Sequence, residues 1–202
     1  MSALSICNCV LKIKDQLGAA FSTAELVVEP RRSQVNASDA VYLSRPQRAT
    51  AAPGIVKQGL LYISKSVSPS TAITVAYTGG ATAGAEVVTV TVNAISVQIQ
   101  TAVSTATQVK AAIAASSAAN DLVYCIISGT AGTAQVTEAA STLSDEYCYL
   151  PMAETTTNSQ YEIFTLNYDV AGSTSGSVIF DPIMVPNQSY KDLSSILTVS
   201  RG

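Results

Sequence analysis

Residues 71–100, TAITVAYTGGATAGAEVVTVTVNAISVQIQ, decide how the fold is read. Two runs rich in valine, isoleucine and threonine flank a segment of glycine and small residues, which predicts strand, loop, strand. The chain continues with STATQVKAAIAASSAAND (104–121), an alanine-rich helix, and LVYCIISGT (122–130), a third strand. The expectation is a β-β-α-β module over residues 69–137. Glu86, Lys110 and Asp121 are the only formal charges between Thr71 and Thr137. A surface so poor in charge does not steer a charged ligand, and it suits packing against protein better than against nucleic acid.

Inside this module Thr105-Ala-Thr-Gln108 matches a capping box, so the helix should begin near Ala106 and end at Asn120-Asp121. Val109, Ala112, Ile113 and Ser116 then share one narrow face that can lie close against a sheet. Gly79-Gly80 and Gly84 invite comparison with phosphate-cradling loops. Neither GxGxxG nor GxxxxGK[ST] follows, and the next element is a strand rather than a helix with free amides.

The whole chain has 202 residues, enough for one domain or two small ones, and a formal net charge of −3. That balance gives no global attraction to phosphate backbones or anionic lipid. Histidine is absent, which removes the commonest general base and zinc ligand. Ser2–Cys9 lacks the basic flank of a secretory signal, and no run approaches the ~20 apolar residues needed to span a bilayer. The expectation is a soluble chain made in the cytoplasm.

Cys7 and Cys9 lie two apart in a predicted strand and so point to one face; Cys125 falls in the third strand of the module and Cys148 in the stretch 146–150. A zinc site would need all four thiolates, and C-x-C lacks the spacing of structural zinc sites. Reduced, buried thiols are the preferred reading, with a bridge from Cys7 or Cys9 to Cys148 as the alternative. For catalysis, Asp39 and Asp145-Glu146 are the acidic groups near arginine-rich or aromatic sequence. Neighbouring carboxylates on a strand point to opposite faces, and no G-x-S-x-G elbow frames a serine. The expectation is a chain that is not an enzyme and takes no cofactor or metal.

Outside the module the pattern is of strands. Ser5–Lys14 alternates, Asp15–Gly18 supplies a turn, and Ala24–Glu29 resumes until Pro30. Arg31–Pro53 reads as a long loop carrying Arg31, Arg32, Arg45 and Arg48, which could grip a carboxylate, a phosphate or a neighbouring subunit, or simply be solvated. Ile55–Lys65 is strand-like with Gly59 at a bulge, and Val67–Ser70 reads as a linker. Tyr161–Val170 alternates well, Gly172–Gly176 is a turn, and Val178–Val185 is an edge or an extended arm broken at Pro182 and stopped at Pro186. Ser189 caps a predicted terminal helix, Tyr190–Leu197.

Three stretches resemble known families. SICNCVLKIKDQLGAAFSTAELVVEP resembles the opening of transthyretin-like or carboxypeptidase-regulatory-like β-sandwiches. The central stretch, about a third of the chain, resembles a recurrent module of tailed-bacteriophage and prophage virion proteins with the pattern ITV…GG…AG.E.V.V…AI.V.I…G.STATQ…AAI.AS.AA..LV. This chain departs from it at Thr101-Ala102, where that family often has glycine before Val103. YEIFTLNYDV…GSVIFDPIMVPNQSYKDLSSIL is similar to the closing strands of phage fibre or adaptor β-sandwiches that end in a VP…DL arm.

These resemblances imply a mainly β (α+β) chain: a transthyretin-like β-sandwich of residues 1–68 and 138–202 interrupted by the inserted module 69–137, with a serial two-domain arrangement as the alternative. They imply a structural subunit of a tailed-phage particle, in a tail, baseplate or neck fibre or adaptor, assembled in the host cytoplasm and located in the virion. Its partners would be copies of itself and other virion proteins, without nucleic acid or membrane. The candidate partner-binding residues are Arg31, Arg32, Arg45, Arg48, Pro182, Met184, Pro186, Tyr190 and Leu193. A capsid decoration protein is one alternative. A module binding host-surface glycan through Tyr147, Tyr149, Tyr161 and Tyr168 is another, against which stands their strand periodicity.

Overall fold

The structure is a computed structural model that describes the backbone of residues 6–13, 21–30, 47–153, 159–170, 176–180, 183–185 and 190–192, and the side-chain surroundings of residues 50–149. The chain divides into two compact units, Met1–Ala51 with Glu146–Gly202, and Ala52–Asp145. The middle unit is thus wider at both ends than residues 69–137. What is described is β-rich with few helices, an α+β fold.

In chain order the strands are β1 (Ile6–Ile13), β2 (Phe21–Pro30), β3 (Gln47–Thr50), β4 (Ala52–Lys57), β5 (Leu60–Ser64), β6 (Thr74–Gly79), β7 (Val87–Thr91) and β8 (Ala94–Ile99). Helices α1 (Ala106–Ala115) and α2 (Ser117–Leu122) follow. Then come β9 (Val123–Ile127), β10 (Glu138–Thr142), β11 (Asp145–Ala153), β12 (Ser159–Val170), β13 (Gly176–Phe180), β14 (Ile183–Val185) and β15 (Tyr190–Asp192).

In the outer unit, β1 runs antiparallel to β11 and parallel to β15. A second sheet has the order β13-β12-β2-β3, with β14 also paired to β12. The long β12 is flanked by β2 and β13, which fits the clean alternation of its sequence. Two expectations are corrected here. Residues 190–192 form a strand rather than the first turn of a helix, because a parallel partner, β1, takes up their backbone groups. Residues 47–50 and 52–53, the end of the predicted loop, are in strands, the second of which runs on into the strand expected from Ile55. The predicted turn at 15–18 lies outside the described residues, as do residues 172–175 of the one at 172–176, whose Gly176 opens β13.

The middle unit holds two sheets. One is the antiparallel ladder β4-β5-β9; the other has the order β10-β6-β8-β7. Gln58 and Gly59 link β4 to β5 with φ of 48° and 81°, the two positive values of a tight hairpin whose twist matches its strands. Gly59 is therefore a turn residue and not a bulge. Its carbonyl accepts from the amides of Ser128 and Gly129 at 2.9 and 3.0 Å. A Cβ on Gly129 would stand 3.0 Å from the Gly59 Cα, so the two backbones touch where only glycine fits.

The stretch 86–100, read as one strand, is a hairpin. Chain reversal occurs at Val92-Asn93, with Val92 at φ 57° and fully outside the sheet. A β-branched residue in the left-handed region is uncommon, so no sequence rule would place a turn there. Asn93 anchors it: its side-chain amide donates to the Thr71 carbonyl at 2.5 Å, and its own carbonyl accepts from Thr74 N at 3.1 Å. Strand β8 returns between β6 and β7, parallel to the first and antiparallel to the second. Strand β9, expected to complete the same module, pairs instead with β5 in the other sheet.

The core lies between these sheets and the helices. Val75 and Tyr77 of β6, Ile95, Val97 and Ile99 of β8, Ala106, Val109 and Ile113 of α1, and Leu60 and Tyr62 of β5 are buried in one cluster. The opposite faces of β6 and β8 carry Thr74, Ala76, Thr78, Ala94, Ser96 and Gln98, none fully buried. The helix begins as the capping box predicts: Gln108 N donates to the Thr105 hydroxyl at 3.4 Å, and Thr105 N donates to Gln108 Oε1 at 2.8 Å. It does not run on to Asp121. Ser116 turns extended (φ −83°, ψ 106°) and its hydroxyl starts α2 by accepting from Ala119 N.

Candidate functional site

Of the residues the sequence marks for partner binding, three fall on described backbone. Arg48 lies in β3 opposite Val27, Met184 in β14 opposite Gln160, and Tyr190 in β15 opposite Asn8. Arg31, Arg32, Arg45, Pro182, Pro186 and Leu193 lie outside the described residues. The groups with a defined surrounding are in the middle unit, and sequence reading missed most of them.

Two polar clusters organise this unit. The first is built on Lys57, the last residue of β4, whose side chain is 2 % exposed. Alternation along β4 puts it on the face of Pro53 and Ile55, the latter packed against the core, and β10 supplies what its ammonium needs. Nζ donates to the Ala139 carbonyl and the Ser141 hydroxyl, both at 3.0 Å, and lies 2.7 Å from Glu138 Oε1. It also stands 5.5 Å from the centre of the Tyr77 ring. A buried cation is tolerable only when paired and hydrogen-bonded, and these partners meet that condition.

Gln58 extends the cluster along the hairpin turn. Its Nε2 donates to Glu138 Oε2 at 2.7 Å and the Val136 carbonyl at 2.9 Å, while Val136 N donates back to Gln58 Oε1 at 2.7 Å. The Gln58 and Lys57 contacts hold the Glu138 carboxyl below its usual range. Further in, the Tyr62 and Tyr77 hydroxyls share a hydrogen bond at 2.7 Å, and Cys125 is beside Tyr62. Burial pushes both phenols well up, and pushes the Cys125 thiol up to about 12. At neutral pH all three keep their protons, so Cys125 is not a poised nucleophile.

The second cluster closes the loop between β6 and β7. Glu86 Oε1 accepts from the Ser104 hydroxyl at 2.6 Å and from Gly84 N at 2.9 Å. Ser104 Oγ accepts in turn from Gln100 N at 2.9 Å, and Gln100 Oε1 accepts from Ala83 N at 2.9 Å. Partial burial pulls the Glu86 carboxyl upward, but the Ser104 hydroxyl and the Gly84 amide outweigh it and hold it below the usual range. Segments 83–86 and 100–104 are thus held by one clamp, made of Ala83, Gly84, Glu86, Gln100 and Ser104. Between Gln100 and Ser104, Ala102 has φ 61°.

Gln135 joins the clusters. Its amide N–H donates to the Ser104 carbonyl and its carbonyl accepts from Ala102 N, each at 2.8 Å. Its Nε2 donates to the Gln58 and Thr133 carbonyls at 3.1 and 2.9 Å.

Of the four tyrosines of the glycan reading, Tyr147 and Tyr149 fall among the residues whose side-chain surroundings are described. Tyr147 is 4 % exposed, whereas Tyr149 is partly buried. For the bridge considered above, the β1–β11 register sets Leu11 opposite Cys148 and Leu150 opposite Cys9. No group of three or more metal-ligating side chains occurs among the described residues, and no helix among them is long and apolar enough to cross a membrane. Comparison with protein-family models, with curated proteins and with solved structures finds no match to the chain.

Proposed function

We propose that this chain is a structural subunit of a tailed-bacteriophage particle, a tail, baseplate or neck fibre or adaptor that works by protein–protein assembly. One observation carries most of the support. In the middle unit Glu86 is used to hold Ser104 and Gly84, and Lys57 is paired with Glu138. What then faces outward on β6 and β8 is neutral and small: threonine, alanine, serine and glutamine. Such a surface lacks the charge to capture a small ionic substrate or a phosphate backbone, and neutral strands of this kind pair and pack with protein. The protonation states of Tyr62, Tyr77 and Cys125 suit a packed interior and not acid–base or nucleophilic chemistry.

The test is location. Antibody raised against the purified full chain, gold-labelled and imaged on intact particles, should decorate the tail, baseplate or neck. Decoration spread over the head would instead favour a capsid decoration protein. Particles that carry no label, and no peptide of this chain by mass spectrometry, would end the proposal.

A further inference from the structure

Three strands at sheet ends of the middle unit, β7, β9 and β10, are protected unequally. Strand β10 carries Glu138 and a register shift between Glu138 and Ser141, two devices that spoil pairing with a foreign strand. Strand β9 is flanked by Lys65, whose ammonium stands 5.0 Å from the Tyr124 ring centre on that strand. Strand β7, Val-Val-Thr-Val-Thr, has neither charge nor proline, and it pairs with β8 in unbroken register from Val87 to Thr91. Among the described residues no strand pairs with its other side. A regular, neutral, β-branched edge is a template for another strand.

We infer that β7 is a self-pairing edge, joining two copies of the chain antiparallel about a two-fold axis through Thr89. This rests on the assembly reading above and specifies its contact. The sequence is nearly its own mirror about that residue: Val88 would face Val90 of the second copy, Val87 would face Thr91, and Thr89 would face itself. Each is a β-branched pair of the sort that stabilises cross-strand contacts. Charge selects the same occupant. The edge offers no ionic handle to a charged partner, and Thr89 lies beside Ser96, so the joined sheet would run Ser96-Thr89 into Thr89-Ser96 with no like charges opposed. A strand of five residues covers less area than a stable dimer needs, so the isolated pair is weak and gains strength only when many copies are arrayed.

The experiment is sedimentation velocity of the full chain over a concentration series, with three variants. Wild type should dimerise in the high-micromolar range, and Thr89→Lys, which sets two ammonium groups face to face on an exposed position, should weaken association at least tenfold without altering the circular dichroism spectrum. Thr89→Cys should form a covalent dimer on mild oxidation, since cross-strand Cα separations of ~4.5–5.5 Å fall within disulfide range. Thr78→Cys, exposed on the same sheet but two strands inward, should not. Self-association that survives Thr89→Lys, with no cross-link through position 89, overturns the β7 contact and leaves the assembly reading standing. A chain monomeric at every concentration also overturns the contact, and the particle-labelling experiment then judges the broader reading separately.

Discussion

The Lys57 cluster and the Glu86 clamp do similar work with similar groups, yet they join chain segments at very different distances. Glu86 and Ser104 are 18 residues apart, and every member of that clamp lies between Ala83 and Ser104. Lys57 reaches Ala139 and Ser141, 82 and 84 residues away. The Glu86 clamp organises a loop and a helix start; the Lys57 cluster fixes the strand at the far end of the unit. A local clamp leaves a readable pattern in the sequence, while a remote one leaves an isolated lysine in an otherwise apolar strand.

If the remote cluster is the stronger fastening, Lys57→Ala should produce the largest loss. Removing the buried stem and leaving two acceptors unmatched should cost ~3 kcal/mol, read from urea unfolding of the full chain by far-ultraviolet circular dichroism. Lys57→Met, which keeps the stem, should recover about half of that loss. Equal losses for the two variants would show that the charge contacts alone matter. Ser104→Ala comes next, because the hydroxyl is fully buried and serves both Glu86 and Gln100 N. A loss of about 2 kcal/mol is expected, and a loss above that of Lys57→Ala would reverse the ranking of the two clusters.

Tyr62→Phe isolates the inner end of the Lys57 cluster. It leaves the Tyr77 hydroxyl unmatched and should cost about 1 kcal/mol, with the double variant Tyr62→Phe, Tyr77→Phe less harmful than two such losses added together. Ala102→Gly should stabilise, by roughly 0.5–1 kcal/mol, because a left-handed backbone strains alanine by more than glycine loses in chain entropy. Destabilisation there would mean that the alanine methyl makes a compensating contact.

The smallest effect concerns acid. Glu86 and Glu138 both have folded-state carboxyls below the ordinary range, so the unfolded chain binds protons more readily. Their contribution is present above the unfolded value of ~4.3 and is lost as pH falls through the lower folded values. Because Glu138 is 42 % exposed, solvent screening keeps its share well under ~1 kcal/mol. Melting temperatures between pH 7 and pH 3 should therefore fall slightly less in Glu138→Gln than in wild type. An unchanged slope would remove the carboxylate from the remote cluster's contribution.

Local rules read much of this fold. The capping box at Thr105 and Gln108, the alternation of β12, and the start of the helix at Ala106 all follow from spacing alone, since each depends on neighbours within a few residues. The Val92-Asn93 turn escaped because valine opposes the backbone it adopts there, and the β7–β8 pairing and the Asn93 contacts to Thr71 and Thr74 hold it. The Tyr190–Asp192 strand escaped because a hydrophobic spacing compatible with helix was overruled by a distant pairing partner, β1. The site residues fared less well. Arginine and proline draw attention in a sequence by composition, whereas Lys57, Gln58 and Gln135 matter through partners that composition does not reveal.

By itself the sequence determined that most of the central stretch is extended, where the helix starts, and that the stretch carries little charge. Those properties depend on side-chain period, caps and formal charge, all of which act over a few residues. Tertiary structure decided which strands share a sheet, sending β9 to β5 rather than to β8, and it decided that Lys57 would find its counter-ion on β10. Strand pairing is chosen by the closure of long loops against shared burial, a balance that no local stretch of chain contains.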